Sequence, residues 1–216
     1  MARRTVEVQA ERIPRWFANF ADRNGGLTDA QGTPDGLRAT GGNGTTADCV
    51  VPFARSWAPT GDPVAALAGH AAADRRVAVL LVRLGGFAAG VFDGLTLTDS
   101  KVGSRHVQGR SAAGGWSQQR FARRRANQAD AALDAATETA ARILLPRVVL
   151  LDALILGGER KAVDRVLNDR TLGPLSKVPV EPRFLSVPDP RLDVLRATPA
   201  QFRAVTIHLT DPPDQR

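Results

Sequence analysis

The sequence predicts a mixed α/β fold: a central mixed β-sheet flanked by helices, with one long helix following a glycine-rich loop. Three observations predict it. Residues 76–98 read as three consecutive strands punctuated by glycine turns. Residues 117–144 repeat apolar side chains every three or four positions. Residues 148–156 form a second apolar run, ending at Gly157-Gly158, as a buried parallel strand would. Meander, long helix and buried strand together make an α/β layer.

The elements follow in order. Residues 5–9 alternate and predict a short strand. Residues 11–23 set Ile13, Trp16, Phe17 and Phe20 on one face of a helix that Asn24-Gly25-Gly26 closes. Residues 27–62 are rich in Gly, Thr, Asp and Pro and predict loops, with one strand within 48–57. Gly41-Gly42-Asn43-Gly44 lacks the Lys-Ser/Thr ending and following helix of a phosphate loop, so it reads as a turn. Residues 64–73 predict an Ala-rich helix. Strands over 76–84 and 87–92 flank Gly85-Gly86, and Asp93-Gly94 signals a hairpin into 95–98.

Residues 103–117 show no apolar period, with glycines at 103, 109, 114 and 115. A connection this long points to function or disorder. The next helix carries Phe121, Ala122, Ala126, Ala129, Leu133, Ala136, Ala140, Ile143 and Leu144, with Ser117 as its cap and Pro146 as its stop. Asp152, within the apolar run, reads as a buried, paired carboxylate. Residues 159–168 predict a short helix, 184–187 a small strand, 190–195 a helical turn and 202–209 a last strand. There is no internal repeat. The 216 residues suit a single domain over 1–210, with an N-terminal part at 1–62, a core at 76–157 and a frayed tail at 211–216.

Composition narrows the chemistry. The hydrophobic share of 43% and charged share of 24% are those of a soluble globular chain. The net charge of +7 favours an anionic partner. Apart from Lys101, Lys161 and Lys177 every basic side chain is Arg, which suits planar contact with phosphate. Cys49 is the only cysteine, so no internal disulfide forms, and a reducing compartment is expected. Beside Val50 and Val51 it reads as a small buried residue. No apolar run is long enough to cross a bilayer, and no signal peptide follows Met1-Ala2-Arg3-Arg4, so the expected location is the cytoplasm.

Metal and nucleophile chemistry find no footing. His70, His106 and His208 have no partners at metal spacing, so no metal or cofactor is expected. His70 reads as structural in its helix. His208 reads as a pairing or surface residue in a strand; His106 lies in the basic window, where a phosphate contact is one open reading and not the leading one. No serine sits in a nucleophile elbow.

The functional signal is the run Gly114-Gly115-Trp116-Ser117-Gln118-Gln119-Arg120-Phe121-Ala122-Arg123-Arg124-Arg125. From 100 to 129 there is no acidic side chain, but there are seven basic ones: Lys101, Arg105, Arg110, Arg120, Arg123, Arg124 and Arg125. With the apolar stripe centred near Ala122, Leu133 and Ala140, Arg120, Arg123 and Arg124 point to the solvent side and Arg125 to its edge. Cations at a helix N-terminus oppose the macrodipole, at about 0.3–1 kcal/mol each. A bound phosphate reverses that sign. The alternative is a solvated arginine face. Gln118 and Gln119 do not titrate, but an amide can orient a water or donate to a developing oxyanion. Gly114 and Gly115 let such a loop approach a substrate closely.

These residues resemble the central domain of the eukaryotic and archaeal class-I translation termination factors over residues 76–157. That domain has adjacent strands, a loop ending in Gly-Gly-Gln and a long helix opening with Arg-Phe-Ala-Arg, here Arg120-Phe121-Ala122-Arg123. Anchored there, the family's catalytic Gln falls on Trp116, so this chain departs from the pattern. Gly115-Trp116-Ser117-Gln118 reads Gly-x-x-Gln, which resembles the Vms-like release-factor clade in its actinobacterial-type branch.

The resemblance implies hydrolysis of the peptidyl-tRNA ester on the large ribosomal subunit, freeing stalled nascent chains. Gln118 would position the water, with Gln119 as the alternative and Gly114 and Gly115 shaping the loop. Lys101, Arg105, Arg110, Arg120, Arg123 and Arg124 would hold rRNA or tRNA phosphates, and Trp116 would stack on a base or pack within the loop. The expected state is a monomer with no membrane partner. Two other readings stand beside it: a nuclease cutting tRNA on stalled ribosomes, and a ribosome-binding module without chemistry.

Overall fold

The computed structural model describes residues 3–83, 85–104 and 117–212, with backbone alone over 117–126. In chain order the elements are β1 (Arg3–Val8), α1 (Ile13–Arg23), β2 (Leu27–Thr33), β3 (Gly36–Gly41), β4 (Thr46–Val50), α2 (Pro63–Ala72), β5 (Arg76–Arg83), β6 (Gly86–Asp93), β7 (Thr96–Ser104), α3 (Ser117–Leu144), β8 (Ala153–Gly158), α4 (Arg160–Leu167), α5 (Leu192–Phe202) and β9 (Val205–Thr210). The chain divides into two compact units, Met1–Ala73 with Pro199–Arg216, and Asp74–Thr198.

The first unit holds an antiparallel sheet in the order β1-β9-β4-β3-β2. Period-two alternation turns Leu37 and Ala39 of β3, Ala47 and Cys49 of β4, and Val205 and Ile207 of β9 inward. They meet Ile13, Phe17 and Phe20 of α1 and Leu67 and Ala71 of α2 in one core. Asn24 N–H donates to the Phe20 carbonyl, and Gly26 N–H to Ala21 at 2.8 Å. Gly25 takes φ +74°, so the predicted glycine stop of α1 is also a conformational requirement. Asp62 caps α2 by accepting from Ala65 N–H at 2.6 Å. At the other end the buried Arg203 guanidinium donates to the Ala71 and Ala72 carbonyls, a cation where the helix dipole is negative.

Residues 27–62 carry three strands, where sequence patterning predicts one. Leu27–Thr33 lies at the sheet edge, exposed over most of its length, so it has almost no apolar pattern to read. The strand expected within 48–57 is β4, which ends at Val50, and Ala54–Ser56 form a 3-10 turn.

The second unit holds a mixed sheet in the order β7-β6-β5-β8. β5 pairs antiparallel with β6 and parallel with β8. The parallel strand read from the apolar run is therefore present, and so is the three-stranded meander. Val77–Val82 of β5 are buried throughout, as a central strand covered on both faces requires. On one face Ala78, Leu80, Val82, Ala89 and Val91 pack with Leu133, Ala136, Ala140, Ile143 and Leu144 of α3 and with Ala162, Val163 and Val166 of α4. On the other, Gly90 lets Leu195 of α5 come close: a Cβ there would sit 2.9 Å from the Leu195 side chain. Arg147 pairs with Asp99 at 2.6 Å.

Four expectations are corrected here. Val148–Leu150 belong to the 3-10 turn Leu145–Leu150, with Val149 89% exposed, so the strand starts at Ala153. Asp152 is exposed, not buried, and accepts from the Arg76 backbone N–H at 2.7 Å. The helical turn at 190–195 is the start of α5, which runs to Phe202 through Pro199. Residues 184–187 contribute a single isolated bridge, Gly157 to Leu185. In the tail, Asp211 pairs with Arg4 at 3.3 Å, and residues 213–216 lie outside the described ones.

Candidate nucleic-acid interface

Strand register fixes where the glycine-rich segment is rooted. Ser104 lies opposite Gly86, Gly86 opposite Arg83, and Val82 opposite Gly158. The exit from β7, the β5–β6 turn and the β8–α4 turn therefore share one end of the sheet. The chain leaves β7 at Ser104 and re-enters described structure at Ser117, the first residue of α3. Arg105, His106, Arg110, Gly114, Gly115 and Trp116 lie outside the described residues.

Gln118, Gln119, Arg120, Arg123 and Arg124 lie on the first turns of α3 as backbone. The first buried side chain of α3 among those described is Ala132. At 1.5 Å per residue it stands about 22 Å along the axis from Ser117. Gln118 and Gln119 therefore lie about 20 Å along the axis from that buried position. Lys101 is exposed on β7, three residues before the strand ends. Arg160 and Lys161 are exposed at the start of α4, at the same sheet end, and Arg160 lies 4.3 Å over the Phe184 ring. Sequence reading passed over these two; a Gly-Gly turn after a parallel strand was the signal available.

The charge distribution singles out this segment. Outside residues 100–129 the chain has 22 Lys or Arg against 22 Asp or Glu, so the whole +7 resides in that window. The first unit is neutral, with nine of each sign, and the second has twenty basic against thirteen acidic residues.

The other reactive side chains have structural work. His70 Nε2 lies 2.8 Å from the Pro52 carbonyl, and its ring meets Trp57 edge-on at 5.2 Å. His208 Nδ1 pairs with Thr5 Oγ1 at 3.0 Å. Cys49 is buried as expected, and desolvation, with Asp48 beside it, pushes its thiol up to about 12. Among the described residues no group of His, Cys, Asp and Glu is placed to hold a metal. No described helix is long and apolar enough to cross a membrane.

Comparison with known proteins bears on this segment. Residues 75–208 match the model of the Actinobacteria/chloroflexi VLRF1 release factor, a stretch that includes every candidate from Lys101 to Arg124. No curated protein matches. Among solved structures, the archaeal translation termination factor aRF1 is 18% identical with a TM-score of 0.44, over 59% of this chain and 36% of that one. A second, described as an archaeal protein, is 15% identical with a TM-score of 0.42, over 76% of this chain and 51% of that one. The match to the release-factor model spans well over half of the sequence, and the chain belongs to the Actinobacteria/chloroflexi VLRF1 release-factor family.

Proposed function

We propose that this protein hydrolyses peptidyl-tRNA on the large ribosomal subunit and so frees stalled nascent chains in the cytoplasm. The observation that carries the reading is the coincidence of three things in one segment. The family match covers it, the glutamines sit at the opening of a helix whose later turns, from Ala132 on, pack into the core, and the entire net charge of the chain is concentrated there.

In the proposed step Gln118 orients a water against the ester carbonyl carbon at the terminal ribose. The water oxygen bonds to that carbon, the bond to the ribose oxygen breaks, one water proton passes to that oxygen, and the other is lost to solvent as the new acid ionises. The products are a free peptide carboxylate and an intact tRNA 3′ end. The glycines allow close approach, and Arg120, Arg123, Arg124, Lys101, Arg105 and Arg110 neutralise RNA phosphates. Arg160 and Lys161 extend that contact along the same sheet end.

The test is release of labelled peptide from purified stalled large-subunit complexes, with the released tRNA sequenced at its 3′ end. Peptide release with an intact end supports ester hydrolysis. A shortened tRNA would make the protein a nuclease, and binding without release would make it a module without chemistry.

A further inference from the structure

The neutral first unit carries a site of its own. Arg15, Trp16 and Asn19 lie along one side of α1, and Arg12 ends the 3-10 turn just before it; with Val6 and Glu7 of β1 they line a cleft of about 610 Å³. β1 is the outer strand of its sheet, paired with β9 on one side alone. Alternate residues of such a strand turn their N–H and C=O outward. Arg12 and Arg15 are exposed and make no ion pair among the described residues. Glu7 is engaged in an interaction of its own. The Trp16 ring is held as a wall by stacking on Phe20 at 5.5 Å.

We propose that this cleft binds an extended acidic segment of a partner protein, which adds a strand to β1 and directs alternate carboxylates to Arg12 and Arg15. Charge selects this occupant over others. Arg12 and Arg15 offer two local charges beside an open strand edge rather than the long cationic track that holds a polynucleotide. A second copy docking edge to edge would bring two further arginines to the same interface, adding like charges rather than carboxylates. A short acidic strand meets both arginines and the open backbone at once.

Fluorescence anisotropy of the full chain with a labelled octapeptide of alternating Glu and Val tests this. Saturable binding is expected. It should weaken about tenfold or more when Arg12→Glu and Arg15→Glu are combined, as two partly exposed charge pairs allow. A Lys-Val octapeptide should lose as much. So should the Glu-Val peptide methylated at alternate backbone nitrogens, because it cannot donate to β1. Arg12→Lys with Arg15→Lys should stay within about threefold of the parent, which separates charge from a folding defect. No binding, or equal binding by the methylated peptide or the Glu variant, overturns the proposal. Displacement of the peptide by an oligouridylate that the Glu variant no longer binds would make the cleft an RNA surface, and overturns it too. Peptide release is not the readout, so this result leaves the hydrolase reading untouched either way.

Discussion

Replacing Arg120, Arg123 and Arg124 together with Gln tests the electrostatic half of the proposed function. The helix backbone sets these positions within an arc of about 100°, so one polyanion can meet all three. They are three of the seven charges that make up the whole net charge. If each neutralises one phosphate, the logarithmic salt slope of binding falls by about 2.1 on single strands and about 2.7 on duplex RNA. Between 50 and 200 mM salt, a ratio of four, the parent should then lose about 20- to 40-fold more affinity than the variant. Large ribosomal subunits titrated with labelled protein at several salt concentrations, read by anisotropy or co-sedimentation, give both slopes. A triple variant with an unaltered slope would clear these arginines of phosphate contact and leave the charge concentration unexplained.

The fold supports further predictions. Leu154→Ala, at the second position of β8 and 1% exposed, should cost about 2–5 kcal/mol of stability in urea unfolding; a loss below about 1 kcal/mol would contradict the buried parallel strand. Asp62→Ala removes the acceptor at the start of α2 and should cost about 1 kcal/mol, and an unchanged midpoint would show the cap to be idle. Cys49, its thiol pushed up to about 12, should be alkylated at pH 8 about a thousandfold more slowly in folded than in urea-unfolded protein. Because the fold favours the protonated thiol, its contribution to stability is complete below the ordinary thiol range and is lost as pH rises toward 12. Equal alkylation rates in the two states would refute its burial.

What was legible in the sequence follows the strength of each local signal. β5, β6 and α3 were readable because burial on two faces, or on one helical stripe, leaves a pattern that periodicity detects. β8 was readable as buried and parallel, but not its start. Val148–Leu150 are as apolar as the strand yet sit in a surface turn, and hydrophobicity alone cannot separate the two. β2 and β3 were missed because an exposed edge strand and a short Gly- and Ala-containing neighbour carry few apolar residues. Thr33-Pro34-Asp35-Gly36 between them was a turn signal that patterning passed over. Pro199 concealed the second half of α5, because proline reads as a stop. The opening of α3 was legible from the motif, and the charge cluster of residues 100–129 is a property of the sequence itself, which needs no three-dimensional information. The cleft beside β1 needed the topology, because nothing in the sequence says that β1 is an outer strand.

The most direct measurement is the single-turnover rate of peptide release from purified stalled large-subunit complexes by Gln118→Ala, compared with the parent at equal ribosome occupancy. Loss of one oxyanion or water-orienting group predicts a rate about 10²–10³-fold lower with binding preserved. Release at the parent rate would contradict an amide-positioned water at residue 118.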